Sequence, residues 1–291
     1  MRIGINGTGL VQRASVSRVI KDAEQAAADG FASYWLAEHP TGGFDALTVL
    51  TAVGLAVPEL ELGTAIVPTY PRHPMVLAGQ AATTAGAIDG RLTLGVGLSH
   101  EVMMAQLGIG FEKPIRHLRE YLSILMPLLR EGEVAYRGET LSCEANLFQK
   151  PTSVPVVVAA LGPQALGVAG RLADGTTLAW VGPKTIREHI APRLKGAAES
   201  ADRPTPRIIA TLPICVTKDE QAVRAQIGKS LAMYGQLPSY RAMFDREGVA
   251  GPAELAIVGS EAQVLDKVGA LQEAGVTDFA ASEFALNPED R

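Results

Sequence analysis

The chain has 291 residues, of which 47% are apolar and 20% charged, and its net charge at pH 7 is −5. This composition is that of an ordinary globular protein, and the acidic balance argues against a general nucleic-acid or anionic-membrane partner. No stretch approaches the roughly 18 consecutive apolar residues of a membrane span. The first residues, Met1 to Ile5, enter a strand without signal-peptide design, and Cys143 and Cys215 are too few for a disulfide framework. We therefore expect a cytoplasmic protein with two inert thiols.

Helical and strand patterns alternate along the whole chain. Four helix-to-strand junctions contain a glycine (Gly30, Gly90, Gly175 and Gly275), the residue that ends a helix in the left-handed conformation of a tight turn. Two helix starts carry capping-box patterns, at 217–220 and 260–263. This alternation predicts an α/β fold with a parallel sheet. The predicted strands, in chain order, are Arg2–Asn6, Phe31–Leu36, Leu60–Val67, Arg91–Val96, Val154–Ala159, Thr176–Trp180, Ile208–Val216 and Val276–Ala280.

We predict that these elements form a single (β/α)8 TIM barrel, residues 1–291, with insertion segments at its C-terminal face. The alternative is an open doubly wound sheet. Neither Gly7-Thr8-Gly9 nor Gly95-Val96-Gly97 has the third glycine of the dinucleotide-binding fingerprint. Reactive polar residues follow strands all around the chain, as barrel active sites require. Two long stretches, 99–114 and 131–153, are predicted to be functional lids or walls.

Two pairs of acid/base side chains follow predicted strands. Glu38 and His39 come after the second strand, and His100 and Glu101 come after the fourth. Histidine titrates near physiological pH and can donate, accept or shuttle a proton. We therefore predict site roles for both pairs, with pairs on surface loops as the alternative.

Three other loops are candidates for ligand contact. Asn6 and Gly7 follow the first strand, where they form either a floor for a flat ligand or a flexible connection. The loop 160–163 opens a helix whose free N–H groups can bind an anion such as phosphate, unless it is a plain βα turn. Lys184 and Arg187 follow the sixth strand, as partners of a ligand's acidic tail or as solvated helix charges.

Several other chemistries are excluded by their missing motifs. The chain has no G-x-S-x-G elbow, no H-E-x-x-H motif and no P-loop. His39, His73 and His100 lack metal-ligand spacing. We therefore predict no metal site.

Five segments in order carry a resemblance to a known family. They are Arg2 to Ile5, Tyr34 to His39, Leu62 to Pro68, Gly90 to Gly97, and Ala159 to Pro163 followed by Ala173 to Gly175. On these segments the chain resembles the bacterial luciferase-like flavin and deazaflavin oxidoreductases, particularly the actinobacterial branch that uses coenzyme F420. The resemblance covers nearly the whole chain.

The resemblance implies an F420-dependent oxidoreductase that transfers hydride to or from a small organic substrate at the barrel mouth. The phosphate of the coenzyme would lie on the Leu161-Gly162 loop, and a non-prolyl cis peptide would fall at Ala65–Ile66. His39 would lie beside the ring, and the protein would be a homodimer. The predicted catalytic residues are His39, His100 and Glu101. The predicted cofactor-binding residues are Asn6, Gly7, Glu38, His39, Thr64, Ala65, Ile66, Ser99, Ala160, Leu161, Gly162, Pro163 and Lys184.

Some alternatives remain open at this stage. Relatives that act on sugar phosphates carry a carboxylate near His100, so an acid role there passes to His100 or Glu101. The cofactor could instead be FMN, in a monooxygenase or flavin reductase. A further alternative is a catalytically silent barrel that binds and carries the cofactor or serves as a structural subunit. Glu38 is either functional or a structural carboxylate facing the interior. The segment 233–250 either lines an apolar substrate cavity or is core, with Met233, Tyr234, Tyr240, Met243 and Phe244 as the residues concerned.

Overall fold

The structure is a computed structural model that describes residues 1–10, 14–148 and 153–286. Within these ranges, parallel strands form a closed eight-stranded barrel in which each strand pairs with the next along the chain. The last strand pairs back with the first, from Arg2 opposite Asp278 to Ile5 opposite Ala281. The predicted (β/α)8 TIM barrel is therefore confirmed. Its strands are β1 (Arg2–Asn6), β2 (Ser33–Leu36), β3 (Glu61–Thr64), β4 (Leu92–Gly97), β5 (Val156–Val158), β6 (Gly175–Ala179), β7 (Arg207–Thr211) and β8 (Asp278–Glu283).

The helices surround this barrel, and the predicted alternation places them between the strands. The predicted capping box at Ser260 and Gln263 is present. The one predicted at 217–220 is wrong, because Asp219 caps its helix by accepting a hydrogen bond from the Ala222 amide at 3.1 Å. The helices are α1 (Val16–Ala28), α2 (Ala46–Ala56), α3 (Pro74–Ala87), α4 (Glu101–Gln106), α5 (Pro114–Arg130), α6 (Pro163–Leu172), α7 (Pro183–Thr185), α8 (Ala191–Glu199), α9 (Glu220–Ser230), α10 (Pro238–Glu247), α11 (Pro252–Leu255) and α12 (Glu261–Glu273). A π-helical turn, Ile186–Ile190, joins α7 to α8, and 3-10 turns span Gly7–Leu10 and Ala232–Gln236.

The core has an inner and an outer layer. Trp35, Val157, Ile209 and Ala280 fill the barrel interior from four different strands. Gly63 leaves room for the Trp35 ring, because a Cβ at that glycine would collide with the indole. The larger apolar cluster packs the outer faces of the strands against the helices. Strands such as β5 are buried on both faces, as their continuous apolar runs predict.

Two predicted strands are interrupted in the structure. The third ends at Thr64, and Val67–Pro68 then forms a separate short pairing with β4. The prediction of one seventh strand over 208–216 is wrong. Arg207–Thr211 stays in the barrel, whereas Pro213–Val216 pairs with Ile257–Gly259 and with the end of β8. Pro213 has no N–H to donate to a continuing ladder, so the barrel strand ends before it.

The two long insertions differ in structure. The first contains α4. In the second, Glu133–Arg137 and Ser142–Asn146 form an antiparallel hairpin that packs along α5. Its tip reaches the first turns of α5, where Glu139 pairs with Lys113 and Arg116. Residues 149–152 of this insertion lie outside the described residues. No helix in the described ranges is long and apolar enough to cross a bilayer.

Candidate active site

The two predicted histidines come together at the barrel mouth. His39 follows β2, and His100 precedes the first residue of α4 after β4. Burial lowers the pKa of His39 below its ordinary value of 6.5. Burial and then the charge of His39 lower the pKa of His100, so the two rings lie close enough to influence each other. Both imidazoles are therefore mainly neutral at pH 7 and able to accept a proton.

Aromatic rings surround His100. The ring centroid of Tyr240 lies 5.9 Å from that of His100, and Tyr234 lies 6.4 Å away at a steep angle. Tyr234 also meets the indole of Trp180 edge to face at 5.6 Å. We call His100, Trp180, Tyr234 and Tyr240 the aromatic wall. The Nε1 donor of Trp180 is buried and has no acceptor among the described residues, so a bound acceptor such as a carbonyl oxygen would satisfy it.

The structure divides the five predicted pocket residues of segment 233–250. Tyr234 and Tyr240 belong to the aromatic wall. Met243 and Phe244 are core residues, 4% and 0% exposed, and Met233 is exposed to solvent. The segment therefore contributes both to the site, through Tyr234 and Tyr240, and to the core, through Met243 and Phe244.

Glu38 is held by neighbouring side chains. Its carboxylate pairs with Arg72 at 3.1 Å and accepts a hydrogen bond from the Ala46 amide at 3.3 Å. Arg72 also pairs with Asp45 at 3.0 Å. Burial raises the pKa of Glu38, while the charge of Arg72 opposes the rise. These contacts favour the structural interpretation of Glu38.

Glu101 lies apart from this network. It is an exposed residue in the first turn of α4, where a negative charge stabilises the helix end. Within the described ranges its side chain makes no hydrogen bond or ion pair. Of the two predicted residues in the loop after β4, His100 is therefore the better candidate for a role in proton transfer.

The polar groups of the first and third loops are largely satisfied internally. Asn6 accepts from the Thr8 amide at 3.0 Å and donates to Thr211 at 3.4 Å. A Cβ at Gly7 would collide with the Tyr34 hydroxyl, which explains that glycine without a ligand. The Thr64 hydroxyl donates to the Gly95 carbonyl and accepts from the Gly95 amide, both at 2.8 Å.

The predicted cis peptide follows β3. The peptide bond between Ala65 and Ile66 is cis, as the resemblance implies. The Ile66 carbonyl accepts from the Glu38 amide at 3.0 Å. After β4, Ser99 adopts a left-handed conformation with φ of 62° and its hydroxyl lies 3.6 Å from the Met103 sulfur.

The predicted anion loop forms an open helix N-terminus. Ala160 is buried, whereas Gly162 and Pro163 are exposed at the start of α6. No side chain caps this helix, and nothing lies within 4 Å of the position that a Cβ on Gly162 would take. The free N–H groups of this turn can bind an anion.

Sequence reasoning missed His189, which supports this loop from behind. It lies in the π-helical turn, is 3% exposed, and its Nε2 is 2.8 Å from the Leu161 carbonyl. Its Nδ1 is buried without a partner in the described part of the chain. The residues around His189 carry no sequence signal for a π-helical turn, so this contact could not be anticipated.

The helix after β6 differs because its N-terminus is occupied. Glu247 accepts from the backbone amides of Lys184 at 3.1 Å and Thr185 at 2.7 Å. The side chain of Lys184 is exposed, and Arg187 lies 3.7 Å from Glu188 at the surface. The α6 end is therefore the open one of the two.

The chain matches a known protein family along most of its length. Residues 3–278 match the family described as luciferase-like monooxygenase. The chain is 27% identical over 261 residues to a 5,10-methylenetetrahydromethanopterin reductase of Archaeoglobus fulgidus, covering 88% of this chain and 76% of that protein. It is 29% identical over 210 residues to an F420-dependent glucose-6-phosphate dehydrogenase of Nakamurella multipartita, covering 67% of this chain and 62% of that one.

A solved structure is similar over nearly the full length. It is the coenzyme F420 dependent tetrahydromethanopterin reductase from Methanopyrus kandleri, with a TM-score of 0.82 and 21% identity over 99% of this chain and 95% of that one. At this identity the likeness shows a shared barrel fold. The roles of the mouth residues therefore rest on the contacts within this chain.

Proposed function

Because the chain belongs to the luciferase-like monooxygenase family, we propose that it is an F420-dependent oxidoreductase that transfers hydride between coenzyme F420 and a small organic substrate. The observation that carries this proposal is the position of His39 and His100 on two loops of the barrel mouth, where burial lowers the pKa of both and the Tyr240 ring lies 5.9 Å from that of His100. The names of relatives such as the Nakamurella dehydrogenase support F420 as the cofactor.

The residues at the mouth fit such a cofactor. The buried Trp180 donor lacks an acceptor in the described part of the chain, and the start of α6 is open. We assign the phosphate to the N–H groups after Gly162 and the flat ring to the mouth beside His39. When bound, F420 supplies the ring carbon that accepts or donates the hydride.

The protein itself handles the proton and the solvent. A neutral His39 accepts the proton of a substrate hydroxyl on a ring nitrogen, and as imidazolium it returns that proton in the reverse direction. The aromatic wall excludes water from the space around the imidazole rings of His39 and His100. His100 replaces the carboxylate that relatives acting on sugar phosphates carry, so we propose a substrate of a different class.

Cofactor titration tests the proposal directly. Purified protein is titrated with F420 and, separately, with FMN, while the fluorescence of each cofactor is followed. We expect micromolar binding of F420 and much weaker binding of FMN. Binding of FMN alone would indicate the flavin-dependent alternative, and binding of neither would overturn the proposal in favour of a structural barrel.

A second experiment tests the role of His39. A panel of alcohols is screened by the loss of the visible absorbance of F420, and the active substrate is then used with His39→Ala. We expect kcat to fall by about 10²- to 10⁴-fold, the usual contribution of a general base, while the affinity for F420 changes little. His73→Ala is the control, since His73 is exposed and its side chain caps α3 through the Met75 amide. An unchanged kcat in His39→Ala would show that the assignment is wrong.

A further inference from the structure

A groove lined with arginines lies between α5 and α6. It encloses a cavity of about 310 Å³. Arg116 and Arg119 line it from α5, and Arg171 lines it from α6 together with Gln164 and Val168. We call this feature the basic groove.

The positive charge of the basic groove is poorly balanced. Glu139 pairs with Arg116 but is shared with Lys113. Neither Arg119 nor Arg171 has a carboxylate within 4.0 Å among the described residues. The whole chain has a net charge of −5, whereas this region places four cations, Lys113, Arg116, Arg119 and Arg171, near two carboxylates, Glu139 and Glu120. Such a cluster raises the local concentration of anions.

Gly167 lets the side chain of Arg171 lie along α6. A Cβ on Gly167 would lie 3.2 Å from Nη1 of Arg171, so the guanidinium folds back along the helix over this glycine. Planar guanidinium groups bind carboxylates through two parallel hydrogen bonds. Arg119 and Arg171 are thus free to hold carboxylates that come from a ligand.

The basic groove begins at the open helix N-terminus. Gln164 follows Pro163 directly, in the first turn of α6. Gln164, Val168 and Arg171 are spaced four and three residues apart, which places them in one row along the helix. With a rise of 1.5 Å per residue, the row extends about 10 Å from the mouth down the outer face of the barrel. A chain that leaves an anion bound at Gly162 would lie along this row.

We infer that the basic groove binds the acidic tail of the cofactor, the oligoglutamate chain that F420 carries beyond its phosphate. This inference rests on the proposed function, because it assigns a second part of the same ligand. The α6 N-terminus holds the phosphate, and Arg119 and Arg171 hold carboxylates of the tail. FMN ends at its phosphate, so the basic groove favours F420 over FMN at a distance from the ring.

The test compares two forms of the cofactor on two matched variants. The forms are F420 with its glutamate tail and the tailless form that ends before the first glutamate. The variants are Arg119→Gln/Arg171→Gln and, as a control with the same loss of charge, Arg18→Gln/Lys21→Gln on the exposed face of α1. Dissociation constants are measured by fluorescence at low and high salt.

We expect the groove variant to bind tailed F420 about fivefold to tenfold more weakly at low salt, as two partly exposed ion pairs allow. Its affinity for the tailless form should not change, and high salt should reduce the difference. Equal losses for both forms, or no loss for either, would overturn the inference alone. If neither form binds the wild-type protein, the proposed function fails together with it.

Discussion

Arg72 pairs with Glu38, so replacing Arg72 tests whether Glu38 has a structural role or a role in cofactor binding. Its guanidinium lies 3.1 Å from Glu38 and 3.0 Å from Asp45. The side chain of Arg72 is 20% exposed, that of Glu38 12% and that of Asp45 34%. The variant Arg72→Met keeps an unbranched apolar stem but removes the guanidinium, which leaves two carboxylates without a cation.

The cost can be bracketed from these exposures. An exposed ion pair contributes about 0.2–1 kcal/mol, whereas removing one partner of a fully buried pair costs about 3–5 kcal/mol. The Arg72 cluster lies between these limits, so we expect Arg72→Met to lower the free energy of unfolding by about 2–3 kcal/mol. Glu38→Gln should cost less, about 1 kcal/mol, because Arg72 retains Asp45. The double variant should be less destabilised than the sum of the two single variants, since the residues share one contact.

Urea unfolding and F420 titration together test this reasoning. Unfolding is followed by tryptophan fluorescence, and the dissociation constant for F420 is measured on the folded protein. Glu38→Gln should bind F420 within about threefold of the wild-type protein, a change below 1 kcal/mol. A loss of affinity above tenfold with unchanged stability would refute the structural role and return Glu38 to the cofactor site.

Three further outcomes follow from the structure. Glu120→Gln should lower the free energy of unfolding by about 2 kcal/mol in a urea titration, because hydrogen bonds from Glu139–Leu141 outweigh burial and lower the pKa of Glu120 from 4.5 to about 2. That contribution is present above pH 4.5 and is lost as the pH falls towards 2, since the unfolded chain takes up the proton first. In His39→Ala, the pKa of His100 followed by NMR should rise, because a nearby positive charge is removed. Arg207→Met should cost about 2–3 kcal/mol at the base of the barrel, as measured by urea unfolding, and leave F420 affinity unchanged.

Each of these outcomes has a result that contradicts it. The control for Glu120→Gln is Glu133→Gln, an exposed position on the hairpin whose tip donates hydrogen bonds to Glu120. Equal losses of stability in the two variants would exclude a specific role for the Glu120 contacts. An unchanged pKa of His100 would mean that the two rings do not face each other. Arg207 joins Asp278 at 2.8 Å and Glu61 at 3.0 Å, so a loss of F420 affinity on its replacement would show that the two ends of the barrel are coupled.

Much of the barrel could be predicted because the sequence patterns that specify its helices and strands are local. Glycine at a helix end and a buried apolar run such as Val156–Val158 act within a few residues, whatever the rest of the chain does. The same locality explains the failure at the seventh strand. The apolar pattern continues through Pro213, but the pairing partners of Pro213–Val216 lie in a later strand, Ile257–Gly259, and in the end of β8.

The candidate site shows where local signals end. The sequence by itself placed His39, His100 and the Leu161-Gly162 loop at the ends of strands, because parallel strands in a barrel expose the same end. Only the tertiary structure decided that Glu38 faces Arg72, 34 residues away along the chain. It also decided that Glu247 fills one helix N-terminus, while the start of α6 stays open. Such pairings depend on how distant segments pack, and the order of residues along the chain does not encode them locally.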